Sequence, residues 1–272
     1  MEIIGKSFLG IFLFILHGFC CVGQDYVRIP SGNYYVGLKG SYDNPSRNIA
    51  VESFEIAATE LTNAEFEKFV QVTGYVTFAE KYKNAQVFEP GLEEFRWLQD
   101  STAYWRFPNG VSRGGIEEKM DHPVTCISYR DAIAYCEWAD VRLPTLEEWE
   151  VAAKAGSEEM YFADVTLDNI GEYANIWHGK DHLKADNSDG YMWTSPVKSF
   201  KPNPWGLYDV FGNVFEFCEG RLDKDGDRKI AHGRGGSWWC SRYACSAFNS
   251  VFIGSVHPSA SFSNLGFRVV KK

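Results

Sequence analysis

The chain has 272 residues, 45% of them apolar and 16% aromatic, with 9 Trp and 25 Gly. That is enough apolar material for one sizeable core or two small ones, in a loop-rich fold whose gaps aromatic side chains fill. The formal net charge is -9 and no basic run occurs, which argues against nucleic acid as a partner, since phosphate binding needs clustered Lys and Arg.

Residues 1–23 read as an export signal. Lys6 precedes an apolar run from Phe8 to Leu16, and Cys21-Val22-Gly23 resembles a small-residue cleavage site, so that Gln24 opens the mature chain. The run is too short to span a bilayer, so no transmembrane segment is expected. This predicts a protein exported to the periplasm or secreted. Lipid attachment at Cys20 or Cys21 is the rival reading, and His17-Gly18-Phe19 suits it poorly.

Along residues 24–272, Tyr26 to Gly37 predicts two short strands around Pro30-Ser31-Gly32-Asn33, and the alternation from Val51 to Ile56 predicts another. Thr62 with Glu65 forms a capping-box pattern, Phe66, Phe69 and Val70 recur at helical spacing, and Gly74 ends that helix. From Ala79 to Asp121 periodicity fades among aromatics, Gly and Pro, a length of irregular chain that often carries function. Ser128 with Asp131 caps a second helix through Tyr135, Cys136 and Trp138. Leu143-Pro144-Thr145 leads into a third, with Glu147 and Glu148 in its first turn, where acids suit the helix dipole. Beyond Gly156 loops and short strands return. With no repeat and no linker, one α+β domain over 24–272 is the economical architecture.

Of the 7 cysteines, Cys126, Cys136, Cys218, Cys240 and Cys245 fall in the mature chain. An odd count leaves a thiol free or pairs it between chains. Cys240 and Cys245 follow Arg234-Gly235-Gly236-Ser237-Trp238-Trp239. The glycines permit a sharp turn or a close approach, and the tryptophans bring apolar bodies that favour burial. Spacing alone allows a disulfide, a metal site or a redox couple, and a disulfide is the ordinary state of an exported cysteine pair.

A set of motifs in order carries a resemblance. They include Thr62-Asn63-Ala64-Glu65-Phe66, His122-Pro123-Val124, Arg142-Leu143-Pro144-Thr145, Ala174-Asn175-Ile176-Trp177, Gly206-Leu207-Tyr208-Asp209, Gly212-Asn213-Val214-Phe215-Glu216, Gly235-Gly236-Ser237 and Gly266-Phe267-Arg268. Over essentially the whole mature chain the sequence resembles the formylglycine-generating enzymes, or sulfatase-modifying factors. The resemblance implies a single irregular α+β domain, related to the C-type lectin fold and low in regular secondary structure. It implies a copper-dependent oxidase that uses dioxygen to convert a cysteine of a sulfatase, in a Cys-x-Pro-x-Arg type motif, to formylglycine. Cys240 and Cys245 match the family's copper ligands, and two thiolates suit Cu(I). Ser237 matches a position beside the copper. Two calcium sets are implied, since hard cations take oxygen ligands. One is Asn175, Ile176, Asp189 and Tyr191, the other Asp209, Gly212, Val214 and Glu216, with Ile176, Tyr191, Gly212 and Val214 acting through backbone carbonyls.

Three features read as bystanders. His178 and His182 flank a glycine and read as a solvated loop. Asp223 to Asp227 has its glycine misplaced for a calcium loop and reads as a hairpin tip. Ala85 to Trp105 corresponds to a surface excursion in the family. The chain also departs from the pattern: Asn249 and Ile253 stand where the enzymes place groove arginines, and Cys136 lacks the partner cysteine of the vertebrate enzymes. A second reading therefore stands beside the enzyme, a non-catalytic ligand- or protein-binding module on the same scaffold, with residues 241–263 as its binding face.

Overall fold

A computed structural model describes residues 24–162, 164–184, 186–219 and 230–272. The export segment with Cys20 and Cys21, and the Asp223–Asp227 tip, lie outside the described residues.

The two strands expected at the start are β1 (Tyr26–Ile29) and β2 (Gly32–Val36), which pair with different neighbours. The alternation read as one strand from Val51 is broken at Glu52-Ser53 into β3 (Arg47–Val51) and β4 (Phe54–Ala57). β2 pairs antiparallel with β3, and β1 with β4. Helix α1 (Asn63–Thr73) has the expected Thr62–Glu65 capping box and stops at Gly74, which is left-handed. A short helix missed by periodicity, α2 (Phe78–Tyr82), repeats the device with Thr77 and Glu80. The minimal strands β5 (Gln86–Val87) and β6 (Leu98–Gln99) pair in the irregular stretch. Helix α3 (Tyr129–Ala139) is capped by Ser128 and Asp131 as read. β7 (Val141–Arg142) then leads to α4 (Leu146–Lys154), capped by Thr145 and Glu148.

The remaining strands are β8 (Phe215–Cys218), β9 (Ala231–Arg234), β10 (Gly254–Val256), β11 (Leu265–Gly266) and β12 (Val270–Lys271). They complete two four-stranded sheets, ordered β1-β4-β12-β7 and β10-β9-β8-β11. β12 pairs with β4 in the register Val270↔Ile56, so the end of the chain closes on its beginning. β11 lies parallel to β8 in the register Leu265↔Phe215.

Two large cores flank the sheets. One gathers α4 through Trp149, Val151 and Ala152 with Phe162, Phe211 and Phe248. The other gathers α1 and α3 through Phe66, Phe69 and Tyr135 with Trp105 and Phe267. The segment expected as a surface excursion is exposed over most of residues 90–102, but its two ends enter the interior: Ala85, Val87, Phe88, Ala103 and Trp105 are buried. Phe88 is the hub of a third, aromatic core with Trp177, Trp238 and Trp239. Its burial follows from the pair of tryptophans ahead of Cys240, which need an apolar cover.

Candidate functional site

The loop from Arg234 to Cys245 is held from below by buried charges. Arg234 donates to Ser250 O at 2.9 Å and Leu146 O at 3.1 Å, and lies 3.1 Å from Glu150 Oε2. Glu150 also meets Lys154 at 3.0 Å, the Asn44 amide and Gly37 N–H. Burial opposes its charge, yet Arg234, Asn44, Lys154 and Gly37 hold the carboxyl below its usual range. Above this anchor the chain turns through Gly235 (φ +91) and Gly236 (φ +76). A Cβ at Gly235 would meet the Trp149 ring at 2.9 Å, and one at Gly236 would meet Phe248 Cα at 2.6 Å. Both the left-handed backbone and the close approach require glycine here.

The turn delivers Ser237, Cys240 and Cys245 to one place. Ser237 is fully buried, accepts from Asn264 Nδ2 at 2.9 Å, and lies 4.0 Å from Cys240 Sγ. Cys240 N–H donates to Ser237 O at 2.9 Å. The two sulfurs are 2.7 Å apart, longer than the ~2.05 Å of a disulfide bond, and both are free thiols. The pair is asymmetric. Burial, then the contact with Cys245, pushes the Cys240 thiol well above its ordinary range. The hydrogen bond from Cys240, helped by Ala247 N–H against burial, holds Cys245 below it. Cys245 is therefore the sulfur that gives up its proton more readily, and it is also the one that opens outward, onto a cleft of about 290 Å³. Phe95, Trp97, Trp239, Phe252 and Phe262 wall that cleft, and among the described residues no charged side chain lines it. Cys126, Cys136 and Cys218 are free and buried elsewhere, with thiols pushed upward mainly by burial, Cys136 to about 12. Their burial leaves them inert.

The histidine loop read as solvated is a correction on both counts. His182 is completely buried and stacks on Trp239 at 4.1 Å. Its Nδ1 lies 2.6 Å from Glu94 Oε2, and its Nε2 donates to Trp239 O at 2.7 Å. The pair clamps the residue before Cys240, and sequence spacing gives no sign of it, because Glu94 is far along the chain. His178 is half-buried, 3.3 Å from Asp189 Oδ2, and that carboxylate raises its pKa.

The expected oxygen ligands fall beside this loop. Asn175 donates to Trp193 O at 2.7 Å, which sets its side chain beside the segment holding Tyr191. Asp189 Oδ1 accepts from Tyr191 N–H at 3.0 Å, while Asp189 Oδ2 faces His178 Nε2 at 3.3 Å. Ile176 is buried, and Trp177 N–H bonds Cys240 O at 2.9 Å, tying this set to the cysteine loop. Gly212 packs where a Cβ would lie 2.3 Å from Asn175 O, so the second set adjoins the first. In that set Asp209 Oδ2 accepts from Lys198 N–H and Oδ1 has no partner, and Val214 is buried. Glu216 is committed: Arg268 bonds both its oxygens, at 2.5 and 2.6 Å, and Trp149 Nε1 bonds one at 2.7 Å. A residue the sequence reading passed over stands nearby. Glu60 is fully buried, and neither of its oxygens has a hydrogen-bond partner among the described residues. Burial and the charge of Asp209 raise its pKa, and burial pushes Asp209 up to about 7.

These orphaned oxygens are the test of fit for a hard cation. In the first set Asp189 is engaged by His178 and Tyr191 N–H, so a cation there would take the place of His178 on Oδ2. The second fits through Asp209, with Glu60 rather than Glu216 holding the open oxygens. Among the described residues no three His, Cys, Asp or Glu side chains stand close enough to hold a metal by themselves. At these two sets a hard ion would draw on backbone oxygen beside the carboxylates, and a soft ion would draw on the thiol pair. The paired sulfurs have the donor chemistry that Cu(I) selects.

A model of the sulfatase-modifying factor enzyme 1-like domain matches residues 21–272. The chain belongs to the sulfatase-modifying factor family. Among its relatives, the formylglycine-generating enzyme of Bos taurus is 36% identical over 89% of this chain and 73% of its own length. The inactive C-alpha-formylglycine-generating enzyme 2 of the same organism is 34% identical over 89% of this chain and 86% of its own. The solved structure of PvdO from Pseudomonas aeruginosa superposes with a TM-score of 0.66 at 23% identity, covering 91% of this chain and 94% of that one, a likeness of fold. The family fold accounts for the irregular α+β architecture described above. Among the described residues no helix is long and apolar enough to cross a membrane.

Proposed function

We propose that this protein is an exported oxidase that converts a cysteine of a sulfatase polypeptide to formylglycine, with dioxygen as oxidant and copper held by Cys240 and Cys245. The observation that carries the reading is the sulfur pair, joined on a glycine-built turn, with Cys245 facing a cleft and Cys240 sealed behind it. Relatives named formylglycine-generating enzyme support it. When bound, Cu(I) would supply a soft centre where a substrate thiolate and dioxygen meet.

The protein's own residues do the rest. Cys240 donates to Cys245 and so eases loss of the Cys245 proton at the cleft. Ser237 Oγ, fixed by Asn264, presents a hydroxyl within 4.0 Å of Cys240 Sγ. Trp238 and Trp239 exclude water from behind the pair. In the overall change the substrate carbon loses two electrons, its sulfur leaves as hydrogen sulfide, and the oxygen atoms end in the aldehyde and in water. An external thiol reductant supplies the remaining two electrons and protons. Calcium at the two oxygen sets has a structural role, bracing the loops that carry Trp177, whose N–H bonds Cys240 O, and Asn213, whose carbonyl accepts from Trp238 N–H.

A titration of the reduced protein with Cu(I) tests this. One tightly bound copper per chain is expected, lost in Cys240→Ser and in Cys245→Ser, since a thiolate with a hydroxyl makes a poor soft site. The 34% identity to a relative named inactive favours one alternative, a binding module without catalysis. No copper uptake by the reduced protein selects that alternative.

A further inference from the structure

The floor of the cleft beside Cys245 is bare backbone. Gly233 of β9 and Gly254 of β10 are directly paired across the sheet. Neither has a left-handed φ, and a Cβ would meet nothing closer than 3.6 Å at Gly233 and 3.4 Å at Gly254. The fold does not require these glycines. A Cβ makes only ordinary van der Waals contact at both positions, and glycine within a strand weakens it. What the two absent side chains leave is room directly above the sheet, and a strand glycine commonly marks the close approach of a ligand or another backbone.

The rim agrees with the floor. Phe252 is 43% exposed and Phe95 64% exposed, large apolar groups left in water at the mouth of a cleft. Phe95 is held at φ +58, a strained region for a bulky residue, with its ring set edge-on to Trp239 at 5.0 Å. At about 290 Å³ the cleft lies at the lower end of ligand pockets, roughly 300–1,000 Å³, which suits one large side chain and its flanking backbone. Among the described residues its polar lining is Ser255, Asn264 and the Cys245 thiol. Asn249 bonds within its own turn, to Val251 N–H, Phe252 N–H and Ser246 O, and Ile253 lines a different pocket.

We infer that this cleft reads an uncharged, apolar residue beside the reacting cysteine. The substrate is an extended cysteinyl peptide laid over the Gly233–Gly254 pair, with an aromatic or large aliphatic side chain between Phe252 and Phe262 and its thiol at Cys245. This specificity rests on the proposed oxidase reading, and the experiment separates the two. Two peptides that differ only next to the cysteine, one with Phe and one with Arg, are offered to the copper-loaded protein, and aldehyde formation is followed. Their serine-for-cysteine versions are titrated into the reduced, copper-free protein by tryptophan fluorescence.

The Phe peptide is expected to be favoured tenfold or more in kcat/KM, in the range that an apolar pocket achieves, and to bind tighter by a similar factor. Gly233→Ala with Gly254→Ala is expected to remove that preference by raising KM, with Cu(I) stoichiometry unchanged. Aldehyde from neither peptide, with the binding preference intact, removes the oxidase reading and leaves the apolar-peptide site standing. Equal binding, preference for the Arg peptide, binding of neither, or an unchanged preference in the double alanine variant overturns the inference.

Discussion

Gly236→Ala tests whether the cysteine loop is built as described. At φ +76 an L-residue with a Cβ costs roughly 1–2 kcal/mol. The added carbon would lie 2.6 Å from Phe248 Cα and 2.8 Å from Phe248 N, both backbone atoms that no rotamer change can move aside. Overpacking of that kind adds about 1–3 kcal/mol. The total is roughly 2–5 kcal/mol, and at about 2–4 °C per kcal/mol for a domain of this size the melting temperature falls by about 10 °C. Gly233→Ala is the internal control, three residues away, with ordinary strand backbone and a Cβ no closer than 3.6 Å to any atom. It relieves a strand glycine and leaves the melting temperature unchanged or raises it by about 2 °C. Thermal unfolding by circular dichroism on the reduced proteins reads both. A Gly236→Ala variant that melts with the wild type, or a Gly233→Ala variant that falls as far, refutes the reasoning.

Chelation of calcium is expected to lower the melting temperature and re-addition to restore it, since an ion present at 100 times its Kd contributes about 2.7 kcal/mol; no shift, together with no calcium in metal analysis, removes the oxygen sites. Glu150→Gln leaves Arg234 and Lys154 buried without their counter-charge and is expected to cost about 3–5 kcal/mol near neutral pH. Because the folded state holds the Glu150 carboxyl below the ordinary glutamate range, its contribution is complete above that range and disappears as pH falls through the lower folded value. Urea unfolding should therefore show the variant and wild type converging in acid, and an equal gap at all pH values contradicts the assignment. Iodoacetamide is expected to modify Cys245 before Cys240 and below the pH at which an ordinary thiol reacts, with Cys240→Ala shifting that onset upward; simultaneous labelling of the two contradicts the asymmetry.

The three longer helices are legible in the sequence, since a capping box and a 3.6-residue apolar period are local signals. Thr62–Glu65 and Ser128–Asp131 form as read, and the third helix starts after Thr145 with Glu147 and Glu148 in its first turn, as expected. The Gly235-Gly236 turn is legible for the same reason. Helix α2 has only five residues, too few for a period to show. The break at Glu52-Ser53 is set by pairing, because β3 and β4 belong to different sheets. What escapes a local reading at the site is the set of partners brought from far along the chain: Glu94 to His182, Glu60 toward Asp209, and Phe88 over the tryptophans. Each is decided by packing between segments that no spacing rule connects.

The most direct test of the catalytic claim is mass spectrometry of a cysteine-containing sulfatase peptide after incubation with the reduced protein, Cu(I), dioxygen and a thiol reductant. The account predicts that the peptide loses mass as its thiol becomes an aldehyde that an aminooxy probe captures, and that Cys240→Ser and Cys245→Ser abolish the product. A peptide left unchanged by copper-loaded protein, or an aldehyde formed equally well by the double serine variant, contradicts it.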